Sequence, residues 1–223
     1  MKNNLQILYE DNHIIVVVKP VNVLSQSDKT NDIDMLTLLK EYIKEKYKKP
    51  GNVYLGLVHR LDRPTGGIMV FARTSKAAKR LSESIKKGEV KKTYLTIIEN
   101  FKENIGTYED YITKEENGNS KVTTKELGKY AKLEFEKLTE IDNFTLLKVN
   151  LITGRHHQIR VQFQSRGYPL YGDNRYGIEN KKQLALFAYK LEFIHPVTKE
   201  KMVFKKYPNY SKFNLFKEYF DEK

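Results

Sequence analysis

The sequence predicts an α+β fold built on a largely antiparallel or mixed sheet, and three observations lead there. Strand-length apolar stretches are punctuated at Asn117-Gly118 and Asp142-Asn143, dipeptides that favour tight hairpin turns. Helical periodicity occurs in isolated segments, so the repeating βα pattern of a parallel sheet is missing. The β-branched run Ile14 to Val18 suits a strand covered on both faces.

Taken along the chain, that first strand is followed by helical spacing over 34–47. Met35, Leu39 and Tyr42 share a face there with Leu36 and Ile43 beside it, and Pro50-Gly51 marks the stop. Val53 to Val58 and Ile68 to Ala72 read as strands flanking a dense polar segment. Thr74 or Ser75 can cap a helix that buries Ala77, Ala78, Leu81 and Ile85 and ends at Gly88. Val90 to Glu99 reads as a strand carrying Tyr94. Leu133, Phe135, Phe144 and Leu146 alternate around the second hairpin turn. A short helix is expected from about His156 to Gly167, burying Ile159 and Phe163, and a last strand from Leu184 to Ile194. The aromatic tail Tyr207 to Phe220 reads as a docked amphipathic segment, because so many exposed rings would be costly.

At 223 residues, with no Pro/Gly/Ser-rich linker and no repeat, the chain reads as one domain, 1–223. Forty Lys+Arg against 28 Asp+Glu give a formal charge of +12, which favours a polyanionic partner such as nucleic acid. The absence of cysteine excludes disulfides, thiolate nucleophiles and Cys-ligated zinc. None of the 5 histidines sits at a metal-binding spacing beside carboxylates, so no metal is expected. The apolar run before Lys19-Pro20 is too short to span a membrane and lacks a cleavage site, which gives a soluble intracellular protein as the expectation.

Chemistry concentrates in His59-Arg60-Leu61-Asp62-Arg63-Pro64-Thr65-Gly66-Gly67. One carboxylate lies between two guanidinium groups, which favour its ionised form, and paired glycines allow close backbone approach. A surface turn with an ordinary ion pair has the same spacing, and His59 alone reads as a structural hydrogen-bonding residue. In Thr153-Gly154-Arg155-His156-His157-Gln158-Ile159-Arg160 the two arginines do not share a helical face. One can therefore meet phosphate while the other enters the interior. An arginine beside Ile159 and Val161 needs a buried anionic partner, for which Asp62 is a candidate. From Arg73 to Lys92, eight Lys/Arg face only Glu83 and Glu89, and Lys76, Lys79, Arg80 and Lys87 lie off the apolar stripe. That pattern suits either a phosphate-facing surface or a solvated helix face.

In these residues the chain resembles the RluA-type family of pseudouridine synthases, from about Asp11 to Pro196. The resemblance is carried in family order by Ile14–Pro20, His59-Arg60-Leu61-Asp62-Arg63, Lys92-Thr93-Tyr94, Thr153–Arg160 and Gly172-Asp173-Asn174-Arg175-Tyr176-Gly177. It implies a mixed, mostly antiparallel sheet with peripheral helices. It implies Asp62 as catalytic carboxylate, Tyr94 as the ring that stacks on the target uracil, and Arg160 as the ion-pair partner of Asp62. Arg60 would help hold the flipped base, and His59, Arg63, Arg155, Lys79 and Arg80 complete the candidate RNA contacts.

The family's reaction isomerises uridine in ribosomal or transfer RNA with no cofactor and no metal. Cytoplasmic location and a monomer are the matching expectations. The first strand starts close to Met1, so the N-terminal S4 module of some members is expected to be absent. The chain departs from the family pattern at Gly66, His156, Gln162 and Phe187. A non-catalytic RNA binder of the same fold is the rival reading. A glycosidase is disfavoured because it needs paired carboxylates.

Overall fold

The computed structural model describes residues 5–30, 32–179 and 181–222. The chain forms two compact units, one from residues 1–90 and 190–206, the other from residues 91–189 and 207–223.

In the first unit, β1 (Gln6–Glu10) pairs antiparallel with β2 (Ile14–Lys19), which pairs antiparallel with β4 (Gly66–Ala72). Every residue of β4 is buried, as its unbroken apolar sequence demands. The strand expected over 53–58 shrinks to β3 (Gly56–Leu57), which pairs only with Ala72 and Phe71. Tyr54 points to solvent, which breaks the alternation a longer strand would need. Helix α1 (Met35–Lys46) buries Met35, Leu39 and Ile43 and is capped by Asp34, whose carboxylate accepts from the Thr37 N–H. The helix stops before Pro50, with Lys48 in the left-handed region. Helix α2 (Ser75–Lys86) is capped by Thr74 and followed by Gly88 at φ 74°, as the spacing predicts.

In the second unit the strand order is β5 (Lys91–Glu99), β9 (Phe144–Leu151), β8 (Lys129–Ile141), β6 (Ile105–Lys114) and β7 (Ser120–Thr123), each neighbour antiparallel. Both hairpin dipeptides fall at turns, with Gly118 at φ 80° and Asp142 at φ 55°. Helix α3 (Gln158–Gln164) starts later than its sequence suggests, because His157 adopts φ 53° and cannot belong to a right-handed helix. Phe101, Phe135, Phe163 and Tyr108 meet in an edge-on and tilted aromatic cluster beneath it.

Strand β10 (Leu186–Ile194) carries the chain from the second unit into the first, where it forms a hairpin with β11 (Lys201–Lys205). Leu191 and Phe193 join Ile14, Val16, Ile68, Val70 and Leu81 in the first unit's core. The tail forms a 3₁₀ turn (Ser211–Phe216) and α4 (Lys217–Asp221) that bury Phe213, Phe216 and Phe220, so the docked reading holds. Strands β1 and β11 carried no sequence expectation, and β6 and β7 none beyond the turn between them.

Candidate active site

The loop before β4 holds Asp62 in the first unit. Asp62 is half-buried, between buried Leu61 and exposed Arg63. Its backbone neighbours are fixed on both sides. Ser25, 5% exposed, accepts from the Leu61 N–H at 3.1 Å and donates to the Leu61 carbonyl at 2.8 Å. Lys19 ends β2 fully buried, and its ammonium donates to the carbonyls of Val23, Pro20 and Arg63 at 2.6, 3.0 and 3.1 Å. Burial drives the Lys19 pKa down to about 7; nearby Asp62 pulls it up and Arg63 pushes it further down. The Thr65 N–H closes the turn on the Asp62 carbonyl at 3.0 Å. The motif therefore forms a peg-and-clamp loop that fixes the backbone on either side of one carboxylate.

The other residues of this motif divide. Arg60 is exposed, and Arg63 pairs with Asp32 at 2.7 Å with both side chains 46% exposed, a geometry that contributes little to stability. His59 accepts the Val70 N–H at 3.0 Å, which makes it a brace for β4. On α2, Lys79 is exposed, whereas Arg80 reaches back to the Pro196 carbonyl at 2.7 Å.

Tyr94 lies on β5 in the second unit, opposite Val149 of β9, and is 6% exposed. Arg160, on α3, is 4% exposed and makes a bidentate pair with Asp173 at 2.7 and 2.8 Å. This gives Arg160 a buried anionic partner, Asp173, that the sequence did not suggest for it. Asp173 Oδ1 also accepts from the Arg175 and Tyr176 N–H groups, both at 3.1 Å. Burial pushes its pKa up, but the Arg160 guanidinium and those backbone donors more than offset this and hold it below the usual carboxylate range. Gly172 makes the turn feasible. At φ 71°, a Cβ there would come within 2.3 Å of the Gln183 carbonyl oxygen.

The turn before α3 is organised by Gln158. Its amide oxygen accepts from the Thr153 hydroxyl at 2.8 Å and the Arg155 N–H at 3.0 Å, and its nitrogen donates to the Lys132 carbonyl. Arg155 is exposed, with Nε on the Tyr130 carbonyl at 2.7 Å. The adjacent histidines do not point apart as they would on a helix. Their rings stack with centroids 3.7 Å apart, His156 on Ser120 and His157 on Tyr176. Besides Gly66, buried at the start of β4, two departures from the family pattern lie inside the fold. Gln162 is fully buried and donates to Asp110 and the Tyr108 carbonyl, while Phe187 packs against Tyr210 of the tail.

A family described as RNA pseudouridylate synthase matches residues 13–165. The dual-specificity RNA pseudouridine synthase RluA of Haemophilus influenzae is 34% identical over 212 residues, covering 90% of this chain and 91% of the relative. The ribosomal large subunit pseudouridine synthase C of Haemophilus ducreyi is 32% identical over 208 residues, covering 88% of this chain and 63% of that longer relative. Among solved structures, human RNA pseudouridylate synthase domain containing 4 superposes with a TM-score of 0.76 at 21% identity, over 90% of this chain and 87% of that one.

Proposed function

Because the chain belongs to the RNA pseudouridylate synthase family, in its RluA-type branch, we propose that it isomerises selected uridines of structured RNA to pseudouridine with Asp62 as the catalytic carboxylate. The observation that carries the assignment is the Asp62 loop. A half-buried carboxylate has its flanking backbone fixed by Ser25 and Lys19 while Arg60 beside it stays exposed. Such preorganisation is what a group acting at one sugar carbon requires.

The reaction breaks the C1′–N1 bond, turns the uracil and joins C5 to C1′; N1 gains a proton and the C5 proton is lost. Asp62 serves as nucleophile at C1′ or as base at the 2′ carbon, and both routes need it ionised. Flipping the uridine costs a few kcal/mol, and stacking on Tyr94 offsets about 1–3 kcal/mol of it. In this reading Arg160 supports the ionised carboxylate. Exposed Arg60, Arg63, Arg155 and Lys79 contact phosphates, His59 acts through the β4 backbone it braces, and Arg80 through its tie from α2 to the Pro196 carbonyl. Ribosomal RNA in the cytoplasm is favoured over transfer RNA, in keeping with the ribosomal relative.

The test is tritium release from uridine-C5-labelled RNA taken from cells lacking this protein. Wild type is expected to release tritium, and Asp62→Asn to release none while still binding RNA. Release by Asp62→Asn rejects the carboxylate assignment; binding without release by wild type favours a non-catalytic binder.

A further inference from the structure

The second unit holds a cation that its own fold does not neutralise. Lys92 lies opposite Leu151 in the β5–β9 register, where β9 runs out into Ile152-Thr153-Gly154-Arg155. That turn, fixed by Gln158, comes back over the lysine. A Cβ added to Gly154 would sit 3.3 Å from Lys92 Nζ. The side chain is half-buried, and among the described residues it has no hydrogen-bond or ion-pair partner. Lys19, by contrast, gives its N–H groups to carbonyls. Burial lowers the Lys92 pKa, the direction expected of a cation that gives up water for no opposite charge.

Two neighbours indicate what would compensate it. Strand alternation places Lys92 on the same face of β5 as Tyr94, two residues on. Arg155, next to Gly154, is anchored through Nε to the Tyr130 carbonyl, and its terminal nitrogens have no partner among the described residues. We propose that Lys92 and Arg155 form an anion site for the RNA phosphodiester at the nucleotide whose base stacks on Tyr94. This rests on the isomerase reading and adds a backbone anchor to it. A phosphate oxygen restores to Lys92 the interactions it lacks in the free protein. Holding that phosphate fixes the sugar of the nucleotide whose base stacks on Tyr94.

An unneutralised half-buried lysine has a signature that a structural lysine lacks: removing its charge does not weaken the free fold. The experiment compares wild type, Lys92→Gln and Lys92→Arg by urea unfolding and by binding of a fluorescent oligouridylate over a salt series. Lys92→Gln is expected to unfold at an equal or higher urea midpoint, yet bind about tenfold more weakly, as for one charge-assisted contact. Its slope of log affinity against log salt is expected to fall by about 0.7, the share of one single-strand phosphate. Lys92→Arg, which keeps the charge, is expected to retain most of the affinity. Unchanged binding and slope in Lys92→Gln would overturn the site, and so would a lowered urea midpoint that accounts for the weaker binding. Wild-type tritium release is run in parallel. No release with the Lys92→Gln signature intact removes the isomerase reading and leaves the anion site; release with no Lys92→Gln effect does the reverse.

Discussion

Asp62 owes its position to contacts made by residues far from it in sequence. Ser25 engages both the N–H and the carbonyl of Leu61, so one hydroxyl fixes the peptide plane on each side of that residue and sets where the Asp62 Cα lies. Ser25→Ala removes both bonds in a buried setting. It is expected to cost about 1–3 kcal/mol of stability, two ordinary net hydrogen bonds, readable by urea unfolding. Its kcat for tritium release is expected to fall more than its KM rises, because the substrate contacts remain while the carboxylate loses its alignment. An equal loss in both constants would detach Ser25 from the chemistry. Asp62 stands out in the sequence as a candidate because charge and glycine crowd around it. Ser25 was not, since a serine 36 residues upstream carries no pattern of its own. His59 was readable as structural from its type, and its bond to the Val70 N–H agrees.

At the scale of elements, the α3 helix and the Gly172-Asp173 turn are joined by the Arg160–Asp173 pair, buried on both sides. Removing one member of such a pair strands the other, so Asp173→Asn is expected to destabilise by roughly 3–5 kcal/mol at neutral pH. The pH dependence follows from the depressed Asp173 pKa. The folded state binds fewer protons than the unfolded one, so the contribution is complete above the ordinary value of 3.8 and is lost as pH falls through the folded pKa. The stability gap between wild type and Asp173→Asn is therefore expected to close below pH 3.8, measured by urea unfolding across an acid series. A gap constant with pH would assign the loss to packing. Regular elements were legible where local signals agree. Asp34 and Thr74 cap helices whose faces have the expected period, and both hairpin dipeptides turn the chain. They failed where a local conformation overrides the pattern, as at His157, or where register decides, as for β3, which finds only Ala72 and Phe71 to pair with. The β11 strand, with alternate residues exposed and lysines at both ends, becomes a strand only because β10 offers it an edge.

For the whole molecule, the decisive property is the threading of the chain. The first unit needs residues 1–90 and again 190–206, and the second is closed by 207–223. Neither unit is a continuous piece of sequence, which is why no linker was visible and why the sequence reads as one domain, 1–223. The dependence can be located. Leu191 and Phe193, each 2% exposed, belong to the first unit's core with Ile14, Val16, Ile68 and Val70, and they arrive well over a hundred residues after β4 has been laid down. Deleting a buried large apolar side chain from a core typically costs about 2–5 kcal/mol, and the loss of two is of the order of a whole domain's stability. A fragment ending at Val90 lacks both, together with the β10–β11 hairpin. It is expected to give no cooperative urea transition and little amide protection in β2 and β4, although it retains the Asp62 loop, Lys19 and Ser25. Adding the 190–206 segment as a separate peptide is expected to restore part of that protection by supplying Leu191 and Phe193. Hydrogen exchange measured with and without the peptide decides the matter. Full protection in the fragment alone would mean that the N-terminal segment folds on its own and that β10 is an accessory to the loop that holds Asp62.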